Sequence, residues 1–206
     1  FLLAYMVTSG IKGQNFFRAG FFIPNLIGGI VLGYVWKFVF NRAIVAIGQA
    51  LSVGALSTSW LSTTNGAMFC LILVSVWQYA GYMMLIYVAG FMSVSKSLME
   101  AAEIDGAGVV AKFFNITLPL VTPSLFFILI TGLIGAFQIF DTIFMMIGKN
   151  TVVLENTQSV VMYFYRNAFD LGNKGYACAI AMLLFVIIMV ITLLQMVGQK
   201  KWVNYD

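Results

Sequence analysis

Long runs of apolar residues, separated by short polar stretches, are the main pattern along the chain. Four of these runs are long enough to cross the hydrocarbon core of a bilayer as an α-helix, which takes about 20 residues. They cover residues 16–40, 67–92, 120–147 and 176–197. Because a bilayer core offers no water, a crossing segment must bond its own backbone groups, and a helix does so. The pattern therefore predicts an all-α fold, a polytopic bundle of transmembrane helices.

Two stretches between these runs mix apolar and polar residues. Residues 44–61 are apolar but interrupted by Gly, Ser and Thr, and residues 157–170 place aromatic side chains beside Arg166 and Asn167. Aromatic rings with a polar edge are enriched at membrane–water interfaces. Both stretches are therefore predicted to form short helices that lie at the interface.

The composition supports the membrane assignment. Hydrophobic residues make up 62% of the 206 residues and charged residues only 9%, whereas soluble domains carry about 45–50% and about 25%. A core of this size cannot bury so much apolar surface, so lipid must cover much of it. The Lys and Arg residues are dispersed, and no basic patch of the kind that binds nucleic acid is present.

The same cations suggest an orientation. If four segments cross the membrane, alternate loops lie on the same side. Six of the 11 basic residues then share the side that bears Glu100, namely Lys12, Arg18, Lys96, Lys112, Lys200 and Lys201. Cytoplasmic loops carry an excess of Lys and Arg, so the loop around Glu100 is predicted to be cytoplasmic.

The opening of the sequence, FLLAYMVTSG followed by Ile11 and Lys12, is apolar but too short to cross a bilayer. A signal peptide places its positive charge before the apolar run rather than after it. The opening is interpreted as the end of a membrane helix whose beginning is absent from the sequence, so the chain is expected to be a piece of a longer protein.

A polar stretch interrupts the apolar sequence between the second and third runs. It reads MEAAEIDGAGVVAKFFNITLPLVTPS from residue 99 to residue 124, and Glu100, Glu103 and Asp105 supply three of the seven acidic residues of the chain. Residues 93–118 are called the EAA loop below. One interpretation is a capped loop whose carboxylates face water. The other is a docking surface, because small side chains at Ala101, Ala102 and Ala107 would let a partner approach while the carboxylates accept hydrogen bonds from its Arg or Lys.

Local signals within the EAA loop predict its shape. Ser97 and Glu100 have the spacing of a capping box, which starts a helix that would end near Asp105. Gly106 tolerates the positive φ of a sharp turn. Residues 109–116 are then predicted to form a second short helix before Pro119. The result is a compact helix–turn–helix outside the bilayer.

One ionisable residue lies inside an apolar run. Asp141 would cost about 2.5–3.5 kcal/mol at the bilayer centre, so it is expected to face protein or water, or to lie near the end of its helix as an interfacial anchor. Gln138 precedes it by three residues and would share its helical face. Together they form a polar patch suited to sugar hydroxyl groups. Asp141 could instead be the carboxylate relay of an ion-coupled secondary transporter.

Two other features of the apolar runs have competing explanations. Trp77, Gln78, Tyr79 and Tyr82 lie near the same depth, where they could contact a sugar ring or form helix packing with an interfacial aromatic belt. Packing is the favoured interpretation for all of them except Tyr82. Gly29 and Gly33 form a G-x-x-x-G pair. Such pairs mark the close approach of two membrane helices, so the glycines are assigned to packing.

The chain lacks the residues on which several kinds of catalysis depend. The chain has no His and only two Cys, so the ordinary ligand sets of zinc or haem are missing. It has neither a Ser-His-Asp nor a Cys-His set, and no G-x-x-x-x-G-K-[ST] phosphate loop. We expect no catalytic residue, metal or cofactor, and any energy from ATP must come from a partner.

The string EAAEIDGAGVVAKFFNITLP resembles the cytoplasmic EAA loop of bacterial ABC importer permeases, whose pattern is EAA, two free positions, DGA and a closing Ile-x-Leu-Pro. Nine positions match, and they are Glu100, Ala101, Ala102, Asp105, Gly106, Ala107, Ile116, Leu118 and Pro119. Residues 13–41 and the later strings FQIFDTIFMM and VVMYFYRNAFD resemble the sugar-importer branch, in particular the first permease subunit of the maltose type. The stretch 148–156 lacks the Gly-Gly-Pro usual there.

The resemblance implies a single transmembrane permease domain over residues 1–206 that lacks the first membrane helix and most of the second. It implies that the EAA loop is a coupling helix seated in a cleft of a cytoplasmic ATPase subunit. Glu100 would then pair with a basic residue of that subunit, Gly106 would allow the turn, and Asp105 would hold the fold of the loop by bonding its backbone.

The resemblance also implies a function and a set of partners. The chain would be a multi-pass subunit in the bacterial cell membrane that forms, with a second homologous permease, the pathway for a sugar or oligosaccharide. An external binding protein would deliver the substrate, and ATP-binding subunits would drive transport. The candidate pathway residues are Gln138, Asp141 and Tyr82. The alternatives are an ABC permease for another solute, such as amino acids or phosphate, and the ion-coupled transporter.

Overall fold

A computed structural model of the chain describes residues 1–8, 11–148 and 152–204. These residues form helices and contain no strand. The helices are α1 Leu2–Thr8, α2 Gln14–Leu26, α3 Gly29–Phe38, α4 Ile44–Ala50, α5 Thr64–Met92, α6 Lys96–Ile104, α7 Val109–Lys112, α8 Leu118–Leu120, α9 Thr122–Gln138, α10 Asp141–Met146, α11 Val152–Thr157, α12 Val160–Tyr165 and α13 Lys174–Gln199. The all-α prediction is confirmed.

Four helical stretches of the described chain are long and apolar enough to cross a membrane. They are Gly29–Ala50, Thr64–Met92, Thr122–Met146 and Lys174–Gln199. The second and fourth agree with the predicted runs to within a few residues. Of the stretch 148–156, which departs from the resembled family, residues 149–151 lie outside the described residues.

The first predicted span, residues 16–40, is wrong as a single helix. α2 contains Pro24, whose nitrogen cannot donate a backbone hydrogen bond. Gly28 is extended, with φ −57° and ψ 139°, and α3 begins only after it. The crossing stretch therefore starts at Gly29. It continues through a π turn, Val39–Ala43, into α4.

The predicted interfacial helix over residues 44–61 is also wrong in its first part, because α4 extends the crossing stretch. Short 3-10 turns follow at Gly54–Leu56 and Trp60–Ser62. The predicted short helix within residues 157–170 is confirmed, since α12 continues through a π turn, Arg166–Asp170.

The described residues divide into two compact units, and α5, α9 and α13 contribute to both. Unit 1 comprises Phe1–Ile23, Ala80–Ile134 and Met189–Asp206, and unit 2 comprises Pro24–Tyr79 and Gly135–Ile188. The buried core of unit 1 consists of Ala4, Val7, Met84, Tyr87, Val88, Val121 and Ile128. The core of unit 2 is larger and includes Leu32, Phe40, Val74, Met146, Leu154 and Met162.

Candidate functional site

The first helix of the EAA loop, α6, begins two residues earlier than the sequence suggests. Ser95 is the residue before its first turn and has extended φ −62° and ψ 132°. Ser97 lies inside the helix, and its hydroxyl shares a hydrogen bond of 2.6 Å with that of Ser95. The predicted capping box of Ser97 and Glu100 is therefore wrong, because a helical residue cannot also be the cap.

The turn after α6 has the predicted glycine conformation. Gly106 has φ +75°, which glycine adopts at no steric cost. Its N–H donates to the Glu103 carbonyl at 3.0 Å, and the Ala107 N–H donates to the Ala102 carbonyl at 2.9 Å. These two bonds form a Schellman motif, which satisfies carbonyl groups at the end of a helix.

The second helix of the EAA loop is longer than predicted. α7 begins at Val109 as expected, after the extended Gly108. It continues through a π turn, Phe113–Thr117, into α8. The apolar helix thus runs over Val109–Leu120, and Pro119 lies within its last turn. The predicted helix–turn–helix is confirmed.

An ion pair that the sequence analysis missed joins the two helices of the EAA loop. Lys112 Nζ lies 2.6 Å from Glu103 Oε1, and the Lys112 side chain is only 12% exposed. The available signal was an acidic and a basic residue on either side of a glycine turn that folds two helices back on each other.

The pair is stable at neutral pH. The hydrogen bond from Lys112, together with the lysine charge, lowers the pKa of Glu103 from its ordinary value of 4.5. A carboxylate with a lowered folded pKa contributes stability above its unfolded pKa and loses it as the pH falls through the folded pKa. The ion pair is therefore complete at pH 7 and weakens only in acid below about pH 4.5.

Most of the predicted docking residues are accessible. Glu100, Ala101, Asp105 and Gly106 are exposed, Ala107 is half-buried and Ala102 is buried. Ala102 therefore supports the loop from inside. Neither the Glu100 nor the Asp105 carboxylate forms a hydrogen bond within the described residues, so Asp105 does not bond the backbone of the turn as expected, and the ion pair in the loop is formed by Glu103. Two free carboxylates remain on its surface.

Three apolar side chains of the EAA loop are also exposed. Ile104 is 88% exposed, Val109 is 68% exposed and Val110 is 70% exposed. An exposed apolar patch with charged groups at its edge is typical of a protein–protein contact. The surface of the EAA loop thus presents acidic and apolar side chains together.

Unit 2 contains two helix breaks whose carbonyl groups are bonded by side chains. α2 ends before Ile27, and the Ile27 carbonyl accepts a hydrogen bond from Nε2 of the buried Gln78 at 3.4 Å. α9 ends at Gln138, and the Ile139 carbonyl accepts from Ser159 Oγ at 2.5 Å. Since unpaired backbone groups are costly in hydrocarbon, these side chains stabilise both breaks. Helix packing was the favoured role for Gln78, and the role of Ser159 was not predicted from the sequence.

The helices that follow the two breaks, α3 and α10, pack against each other. A Cβ atom placed on Gly29 would lie 2.7 Å from Asp141 Cβ, and one on Gly33 would lie 2.8 Å from Met145 Cβ. Only glycine allows so close an approach, so the packing role predicted for the G-x-x-x-G pair is confirmed. The Asp141 side chain lies directly over Gly29.

Two of the three predicted pathway residues flank a helix break in unit 2. Gln138 and Asp141 stand on either side of the break at residues 139–140, so the predicted shared helical face is wrong: the helix ends between them. Both are exposed, and neither side chain has a hydrogen-bond partner within the described residues. Tyr82 belongs to unit 1 and is 37% exposed.

Gln138 lies at the edge of a cavity of about 220 Å³ in unit 2. The other lining residues are apolar, and they are Val161, Phe164, Ile180, Ala181, Leu184, Phe185 and Ile188. A cavity with an apolar wall and a free amide can contact the C–H face of a ring while the amide bonds a hydroxyl group.

Comparison with known proteins gives the family. Residues 1–202 match the family described as "Binding-protein-dependent transport system inner membrane component". The chain is 36% identical to the multiple sugar-binding transport system permease protein MsmF of Streptococcus mutans, covering 98% of this chain and 69% of that protein. It is 38% identical to the probable starch degradation products transport system permease protein AmyD of Thermoanaerobacterium thermosulfurigenes, covering 97% and 67%.

A solved structure has the same fold. In the crystal structure of a bacterial ABC transporter involved in the import of alginate, one chain superposes with a TM-score of 0.86 at 20% sequence identity, covering 98% of this chain and 72% of that one. The chain spans about two thirds of the length of the two relatives. The chain belongs to the family of binding-protein-dependent transport system inner membrane components, and it is a multi-pass permease subunit of the cell membrane.

Proposed function

We propose that this chain forms part of the membrane pathway of an ATP-driven importer for a sugar or oligosaccharide. Both relatives named above are permeases of systems for sugars or starch degradation products. The cavity beside Gln138 fits this substrate class, since one free amide adjoins an apolar wall. The alternative of an ion-coupled secondary transporter has no support from the family, which is defined by dependence on a binding protein.

The observation that best supports the mechanism is the exposed pair of free carboxylates on the EAA loop. Glu100 and Asp105 lie on a compact helix–turn–helix that is braced internally by Glu103 and Lys112. A rigid acidic protrusion is suited to a basic cleft in a soluble subunit. We infer that residues 93–118 are the coupling loop, that Glu100 contacts a cation of the ATPase subunit, and that Ala101 and Ala107 permit close approach while Gly106 forms the turn.

The remaining partners follow from the same mechanism. An external binding protein delivers the sugar, and a second homologous permease completes the pathway. Binding of ATP closes the paired ATPase subunits, and the coupling loops transmit that closure to the membrane helices. The chain itself performs no covalent chemistry. The whole sequence functions as one permease domain, with Gln138, Asp141 and Tyr82 along the route of the sugar.

The pathway is tested by Gln138→Ala in proteoliposomes that contain the complete transporter, its binding protein and internal ATP. Loss of one hydrogen bond to the sugar should raise the KM for uptake about two- to tenfold, at unchanged assembly. Gln49→Ala is the matched control, because Gln49 is also exposed but lies on α4, away from the break. An unchanged KM would contradict the pathway assignment. Uptake that needs a proton gradient and no ATP would contradict the proposed function itself.

A further inference from the structure

Five aromatic rings of unit 1 pack together where the EAA loop meets α1 and α5. They are Phe1, Tyr5, Tyr87, Phe91 and Phe113, called the aromatic anchor below. The ring of Phe113 lies 5.7 Å from the ring of Phe1 and 5.7 Å from that of Tyr5, both edge-to-face. Phe1 also contacts Tyr87 at 5.1 Å and Phe91 at 5.2 Å.

The aromatic anchor joins three elements. Tyr5 lies in α1, Tyr87 and Phe91 lie in the last turns of α5, and Phe113 belongs to the second helix of the EAA loop. Tyr87 is buried in the core of unit 1, Phe1, Phe91 and Phe113 are half-buried, and Tyr5 is 40% exposed. The aromatic anchor therefore leads from the surface to the close-packed interior at Tyr87. Close packing transmits a displacement because the side chains have no empty space into which to move.

Phe113 is also adjacent to the brace inside the EAA loop. The preceding residue, Lys112, holds Glu103 of α6 at 2.6 Å, and Glu103 is three residues after Glu100. A continuous series of contacts therefore leads from the exposed acidic helix, through the ion pair, to Phe113 and on to α1 and α5.

The other end of the second loop helix is held separately. Thr122 starts α9, and its hydroxyl oxygen accepts a hydrogen bond of 3.0 Å from the Asn204 N–H. The Trp202 ring lies 5.9 Å from the Phe126 ring, edge-to-face. The first turns of α9 thus contact the residues that follow α13, separately from the aromatic anchor.

We propose that Phe113 is a positioning residue for coupling, which passes movement of the EAA loop to α1 and α5 through the aromatic anchor. The inference rests on the proposed docking of the EAA loop on an ATPase subunit. The two roles can be tested separately, because docking depends on Glu100 at the surface of the loop and transmission of its movement depends on Phe113.

Phe113→Ala in the complete transporter separates transmission from docking. The variant should co-purify with its ATPase subunits as the wild type does and should hydrolyse ATP, but the sugar imported per ATP hydrolysed should fall at least about fivefold. Phe113→Tyr keeps the ring and should restore the ratio. Phe114→Ala is the matched control, because Phe114 is the neighbouring ring but is 59% exposed and contacts only Phe113 of the aromatic anchor.

Each other outcome overturns the inference. If Phe113 only fills space, Phe113→Ala lowers the thermal midpoint or the yield while sugar imported per ATP is unchanged. If Phe113 serves docking, Phe113→Ala loses the ATPase subunits. Should Phe113→Ala fail to accumulate, Phe113→Leu retains the apolar volume without the ring, and an unchanged ratio in that variant likewise overturns the proposal. Failure of docking itself is seen separately, in Glu100→Lys, which leaves the aromatic anchor intact.

Discussion

Replacing Glu100 with lysine is expected to prevent the ATPase subunits from co-purifying with the chain in detergent. Glu100 is exposed and has no hydrogen-bond partner within the described residues, so its carboxylate is available for a cation of the partner. Reversing one member of a desolvated charge pair costs about 2–5 kcal/mol or more, which weakens binding roughly 30-fold or more. ATP-driven uptake should be lost to the same extent.

The fold of the variant should remain intact, because Glu100 takes no part in the ion pair or the Schellman motif of the EAA loop. Glu155→Lys is the matched control: Glu155 is an exposed acidic residue of α11, and the same charge reversal there should leave the complex assembled. An undiminished ATPase complement in Glu100→Lys would show that the EAA loop does not dock through this carboxylate.

Gly81→Ala is expected to be the most destabilising small substitution. A Cβ atom at Gly81 would overlap the Phe21 carbonyl oxygen and lie 2.5 Å from the carbonyl carbon and 2.9 Å from Phe22 Cα. These are backbone atoms of α2, so no side-chain rotation can relieve the overlap. Overpacking of this kind costs about 1–3 kcal/mol, and backbone contacts lie toward the upper end. Thermal unfolding in detergent should therefore begin at a lower temperature.

Gly20→Ala provides the control on the facing helix. A Cβ atom at Gly20 would have no neighbour within 4 Å. In open space a helical Gly→Ala change gains about 1 kcal/mol of helix propensity. The two substitutions should thus shift the thermal midpoint in opposite directions. Equal shifts would mean that α2 and α5 do not pack through Gly81.

The crossing helices could be predicted from the sequence because apolar length alone decides whether a segment can span a bilayer. α5 and α13 contain no proline and no internal break, and both agree with their predicted runs. The breaks before α3 and before α10 were missed. The break before α3 did have local signals, Pro24 and the pair Gly28-Gly29. The break before α10 has no Pro or Gly at residues 136–141, and its Ile139 carbonyl is paired by Ser159, a contact across the fold that leaves no periodicity in the sequence.

The candidate site likewise has some features that could be predicted from the sequence and others that could not. The turn at Gly106 and the exposure of Glu100 follow from local rules, since glycine permits positive φ and the acidic helix has a polar face. The Glu103–Lys112 pair and the aromatic anchor around Phe113 depend on contacts between separate elements. Asp105, which was expected to hold the loop, is exposed, because the backbone hydrogen bonds of the Schellman motif already satisfy the turn.

The sidedness of the EAA loop tests the central claim most directly. Ala101→Cys places a thiol on the exposed surface of α6, in a Cys178→Ser background that removes the exposed native thiol and leaves the buried Cys70. A membrane-impermeant maleimide should label this position in inside-out vesicles from cells that lack the ATPase subunits, which would otherwise cover it, and leave it unlabelled in intact cells. Labelling in intact cells would place the loop outside, where no ATPase subunit can reach it, and would contradict the mechanism proposed for this permease.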